Sequence, residues 1–170
     1  MTKNKRQCPV TPAEPSPLED AVNSTSEVAG NYRKGLQAVK GEYRSKIIYS
    51  KPWSLTGSLD IDFATKDRYP RENRWDYAVE YGKKTFFVEV HPASTTEVTT
   101  VIAKLVWLRH WLKNQAPMIS AIKSPVSPYN WVFTTDCHIL RSSKQWKLLS
   151  QIGLLPVKQL DLDKILSTKK

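Results

Sequence analysis

The stretch RWDYAVEYGKKTFFVEVHPA, Arg74 to Ala93, decides the fold. Arg74–Tyr81 and Thr85–Ala93 carry the β-branched and aromatic residues of strands, and Gly82–Lys84 between them is a short glycine-containing link of the kind that closes a hairpin. Side chains alternate faces along a strand, so Asp76, Ala78 and Glu80 share one face of the first strand. Thr85, Phe87, Glu89 and His91 share one face of the second. If the hairpin brings these faces together, Asp76 and Glu89 lie side by side.

Working outward, Ser58–Ala64 sets Leu59, Ile61 and Phe63 against Asp60, Asp62 and Ala64, a period of two that predicts a third strand and hence a meander. Thr65–Asn73 is a charged loop containing a proline. After Pro92 a helix begins, with Ser94, Thr95 or Thr96 as its cap and Glu97 in its first turn. Val98, Val101, Ile102, Leu105, Leu108 and Leu112 form its buried stripe, and it ends before Pro117. Asn130–Thr135 reads as a short buried strand, Ser142–Ile152 as a helix stopped by Gly153, and Val157–Leu162 as a last strand. Upstream, the spacing of Tyr32, Leu36, Val39, Tyr43 and Ile47 predicts a helix over Asn31–Tyr49. The order is αβββαβαβ, an α/β fold of mixed α+β character. Its meander is antiparallel, and the β-helix-β crossover makes the next strand parallel.

The chain of 170 residues is about one domain long. Residues 1–30, rich in Pro, Ser, Thr and Glu, read as a disordered leader, 31–166 as the single domain, and 167–170 as a basic tail. The net charge is +10, and the leader contributes −1, so residues 31–170 carry +11. Such charge suits a surface that neutralises nucleic acid phosphates. With only Cys8 and Cys137, neither a disulfide framework nor a cysteine-based zinc site is supported. No apolar run reaches the ~18 residues of a membrane span and no signal-peptide pattern appears, so a soluble, cytoplasmic protein without membrane association is expected.

Glu89 lies within Phe86–Val90, a run that otherwise reads as fully buried, and a buried charge requires a partner or a metal. Hard divalent cations take oxygen ligands, typically one or two carboxylates completed by water and phosphate, which Asp76 and Glu89 could supply. The residues resemble at this point the restriction-endonuclease-like superfamily, the PD-(D/E)xK nucleases. That family shares an αβββαβ core in which a mixed central sheet is flanked by helices, with an Asp on the second strand and a Glu-x-Lys on the third. The matching run is Asp76, twelve residues, then Glu89–Val90–His91. The resemblance implies a Mg²⁺-dependent (or Mn²⁺-dependent) endonuclease hydrolysing DNA. Asp76 and Glu89 would hold the metal, and His91 would stand where the family's lysine orients or activates water. Lys104 in the following helix would restore a cation.

Other readings stand beside this one. Asp76 and Glu89 form a buried salt bridge with Arg74 or Lys104, or cap a helix, in a catalytically inactive module that binds nucleic acid or a protein. His91 either accepts a proton near pH 7 or hydrogen-bonds backbone. Lys66, Arg68, Arg71 and Arg74 in the loop are candidates to grip a phosphate backbone, with Lys83 and Lys84 at the turn less well placed. Trp107 and Trp111 on one helix face indicate core packing or a homodimer contact, and DNA versus RNA is left open.

Overall fold

The computed structural model describes residues 16–168. In chain order the elements are helix α1 (Pro17–Asn23), strand β1 (Tyr32–Lys34), helix α2 (Gly41–Arg44), strands β2 (Ile47–Ile48) and β3 (Leu55–Asp60), helix α3 (Ile61–Thr65), and strands β4 (Tyr77–Tyr81) and β5 (Lys84–Val90). Helices α4 (Val98–Asn114) and α5 (Pro117–Ala121), strand β6 (Tyr129–Val132), helix α6 (Lys144–Ile152), strand β7 (Leu160–Asp161) and helix α7 (Leu162–Ser167) complete it.

Tyr81 pairs directly with Lys84, which leaves a two-residue turn of Gly82 and Lys83. Both have positive φ, 57° and 61°, as a turn matched to the twist of a hairpin requires. The five-stranded sheet runs β1-β3-β4-β5-β6, antiparallel except that β5 and β6 are parallel across the α4 crossover. A separate pair joins β2 to β7 in parallel. Ala78 pairs with Phe87 and Tyr77 with Val88, so one residue further on Asp76 faces Glu89.

The alternation divides the core between the two sheet faces. Ala78 and Phe87 pack with Leu18 and Val22 of α1, Val101, Leu105 and Leu108 of α4, Ile119 of α5 and Leu149 of α6. Tyr77, Val79, Tyr81, Phe86 and Val88 point the other way, onto Leu36, Val39, Ile47, Leu160 and Leu162. Among the described residues no helix is long and apolar enough to cross a membrane.

Several sequence expectations are corrected. The leader does not extend to residue 30: Leu18, Ala21, Val22 and Val28 are buried core, while 1–15, with Cys8, lie outside the described residues. The cause is a compact local signal, in which Ser16 accepts the Glu19 N–H at 3.1 Å, Pro17 opens the helix and Glu19 and Asp20 favour its N-terminal end. Asn31–Tyr49 is not one helix. Gly35 turns the chain at φ +54°, Tyr32–Lys34 joins the sheet edge, and the apolar spacing there records burial rather than helical pitch. The strand expected over Ser58–Ala64 starts at Leu55 and stops at Asp60, whose carboxylate accepts the Phe63 N–H at 2.8 Å and caps α3. Glu97, not Ser94, Thr95 or Thr96, occupies the start of α4, without a side-chain cap. Val157 bridges to Val132, while the strand itself is Leu160–Asp161 and leads into α7, so 167 is the end of a helix rather than the start of a tail.

Candidate active site

Asp76 precedes β4, Glu89 is the penultimate residue of β5, and Lys104 lies in the second turn of α4, which crosses the sheet face those carboxylates occupy. Lys104 Nζ donates to Asp76 Oδ1 at 3.0 Å and to Glu89 Oε1. Sharing one ammonium at hydrogen-bond distance brings the two carboxylate oxygens within about 6 Å of each other. The remaining oxygens are fixed by backbone: the Asp76 N–H donates to Glu89 Oε2 at 3.2 Å and the Val90 N–H to Asp76 Oδ2 at 3.0 Å. Each carboxylate therefore has one oxygen locked and one presented to a common cation.

Glu89 is fully buried, and burial first, then the Asp76 charge, push its carboxyl up to about 8 against the pull of Lys104. For Lys104 burial acts against its charge, but Glu89 and Asp76 outweigh it and hold the ammonium above its ordinary value. The cluster contains two acids and one base, and withholding a proton from solution at Glu89 makes it neutral.

His91 joins from β5's end. Its Nδ1 lies 3.6 Å from Glu89 Oε1, and its Nε2 lies 2.6 Å from Glu97 Oε2. The His91 N–H donates to the Val132 carbonyl at 3.1 Å, and its carbonyl accepts the Trp131 indole N–H at 3.0 Å, so the backbone beneath the ring is fixed. Glu97 does not stand out in the sequence, because an acid at the start of a helix is ordinary. The signal was its spacing of six residues from His91 across a tight strand-to-helix connection.

The other candidates separate from this cluster. Arg74 Nε pairs with Asp62 at 2.9 Å and also donates to the Tyr69 carbonyl. Arg68 Nε pairs at 2.9 Å with Glu27, which also accepts from the Tyr69 hydroxyl and the Trp111 indole. Lys66 lies 4.1 Å over the Phe63 ring, and Arg71 is exposed. Arg68 and Arg74 thus brace loop to body through Glu27 and Asp62. Lys83 and Lys84 sit at the opposite end of the hairpin, about 17 Å from Glu89 by strand rise. Trp107 and Trp111 stack on each other and Trp111 is buried, which makes them core. Glu80, on the same sheet face as Asp76, is fully buried and accepts from the Ser16 hydroxyl and, at 3.4 Å, from the Leu18 N–H. It anchors α1 to the sheet.

The donor set suits a hard divalent cation: two carboxylate oxygens converge where Mg²⁺ would take one or two carboxylates and complete its shell with water and phosphate. Among the described residues no three His, Cys, Asp or Glu side chains form an all-protein metal cage. Fold and site together define a mixed α/β protein with a carboxylate pair, Glu89 buried and Asp76 half-buried, and a shared lysine at the end of its central hairpin. Comparison with protein-family models, curated proteins and solved structures finds no match to the chain.

Proposed function

We propose that the chain is a divalent-metal-dependent nuclease hydrolysing phosphodiester bonds in DNA, with Asp76 and Glu89 holding Mg²⁺ or Mn²⁺. The observation that carries this is the pair of carboxylate oxygens meeting at one cation, Lys104 Nζ. The sequence of elements α1, β3, β4, β5, α4 and β6 supports the likeness to the restriction-endonuclease-like core, with β1 to β2 as an insertion after the first helix. The metal, when bound, would neutralise phosphate charge and sharpen water as a nucleophile. Lys104, long and flexible, takes the role that the resemblance implies for His91: it orients water or a phosphate oxygen through Nζ. His91 and Glu97 form a linked pair at the rim, with Nε2 of the imidazole 2.6 Å from Glu97 Oε2.

Incubation of the purified chain with Mg²⁺ or Mn²⁺ and supercoiled or single-stranded DNA, between about pH 6 and 9, tests this. Cleavage that Asp76→Ala and Glu89→Ala abolish supports it. Intact DNA under every condition, with no calorimetric metal binding that Glu89→Ala removes, sinks it.

A second reading draws on the same contact. An ammonium already seated between two carboxylates neutralises them, as in a nuclease fold that has kept its scaffold for binding nucleic acid or a protein. Salt-sensitive DNA binding without cleavage, unchanged in Asp76→Ala, favours that reading.

A further inference from the structure

From Val98 to Thr135 the sequence contains no Asp or Glu and four cations, Lys104, Arg109, Lys113 and Lys123. Lys104 is taken by Asp76 and Glu89. The other three line one open pocket of about 490 Å³ between the C-terminal half of α4, α5 and the start of β6, together with Ser120 and Tyr129. Among the described residues none of the three pairs with a carboxylate.

We infer that this pocket is a binding site for a phosphate group. Three cations gathered without an acid repel one another, and an anion at their centre turns that repulsion into attraction. The pocket is also partly organised in advance. The Arg109 guanidinium lies 5.0 Å over the Tyr129 ring, which stacks in turn on buried Phe87. The ring holds the guanidinium beside it, and among the described residues no carboxylate takes its N–H groups, which leaves them for a two-pronged contact with a phosphate that lysine cannot make. Lys123 Nζ is 3.4 Å from the Ser120 hydroxyl, which adds a neutral donor beside the charge.

The site is separate from the carboxylate cluster. Arg109 follows Lys104 by five residues on one helix, about 7.5 Å along the axis and about 140° around it, so the two side chains flank opposite sides of α4. The inference therefore does not rest on hydrolysis at Asp76 and Glu89. The phosphate has two sources, the backbone of a nucleic acid strand or free inorganic phosphate.

Both are tested with the full chain in EDTA at low salt, which excludes metal chemistry. Inorganic phosphate is titrated while amide shifts of Ser120 and Lys123 are followed by NMR, and a fluorescein-labelled oligothymidylate is followed by anisotropy. Arg109→Gln and the double variant Lys113→Gln/Lys123→Gln are compared with Lys144→Gln/Lys147→Gln, which removes equal charge from α6, with thermal melts confirming folding. Pocket variants are expected to weaken binding about tenfold, the loss of a charge-assisted contact, and the α6 control less than about twofold. Oligonucleotide bound well above inorganic phosphate identifies the strand backbone as the source, and equal binding identifies free phosphate. Failure of both probes to bind the wild-type chain, or equal loss in pocket and α6 variants, overturns the inference.

Discussion

Glu89 is the residue on which chemistry and stability meet. Its carboxyl is raised from an ordinary 4.5 to about 8, so the folded chain keeps a proton that the unfolded chain releases between those values. The stability this confers is fully present below the lower value and is lost as pH rises through the upper one. Glu89→Gln keeps the shape and the Asp76–Lys104 pair but does not titrate. Urea melts should show the variant gaining on the order of 2 to 4 kcal/mol relative to wild type between about pH 5 and pH 9, and parallel curves would mean that Glu89 is already ionised at the lower pH. Under the proposed function the same proton would govern metal binding. A cation needs the carboxylate form, so Mg²⁺ or Mn²⁺ binding at pH 7 should release close to one proton, read from calorimetry in buffers of different ionisation enthalpy. Lys104→Ala leaves two carboxylates without their shared donor. Cleavage should fall about a hundredfold or more, the loss from removing a preorganised electrostatic group, while a melt at pH 5, where Glu89 carries its proton, should show less destabilisation than one at pH 8.

At the scale of elements, α1 is where the sequence and the structure part most instructively. A leader could be removed or altered without consequence, but Leu18 is fully buried against the sheet and Glu80 holds the helix start. Leu18→Ala should cost about 2 to 5 kcal/mol in a denaturant melt, against nothing for an unpacked leader. Gly57 makes a comparable point on the far edge, since a Cβ there would lie 2.1 Å from the Tyr32 ring carbon across the β1–β3 pair. The hairpin, α4 and α6 were legible because a long period of 2 or 3.6, a glycine at the turn and Gly153 at the helix end all agreed with what packing required. Residues 31–49 were not, because their apolar residues are buried from a winding segment whose spacing imitates a helix. Within the site, Asp76 and Glu89 followed from strand alternation, and Lys104 from its place on the crossing helix. Glu97 did not follow, since its meeting with His91 depends on the angle at which chain leaves β5 for α4.

Across the whole molecule, charge is distributed unevenly in a way the net value conceals. Between Val98 and Leu160 the sequence carries eight Lys or Arg residues and a single acid, Asp136, whereas Asp60, Asp62, Asp76, Glu80 and Glu89 cluster in and around the central strands. Strand binding and strand cleavage should therefore separate. A nucleic acid held, as proposed, by the basic half would meet at Asp76, Glu89 and Lys104 a cluster in which the ammonium is already taken by carboxylates and so offers its phosphates no net attraction. The variant Asp76→Asn/Glu89→Gln removes the carboxylates that neutralise Lys104 and leaves Arg109, Lys113 and Lys123 untouched. In EDTA it should bind labelled DNA as tightly as wild type or up to about threefold tighter, with a salt dependence of equal slope because the same number of phosphates is neutralised. With Mg²⁺ it should cleave nothing. Anisotropy titrations at several salt concentrations measure both the affinity and the slope. A variant that loses DNA affinity together with cleavage would mean that metal at the carboxylates, and not the basic half, holds the strand.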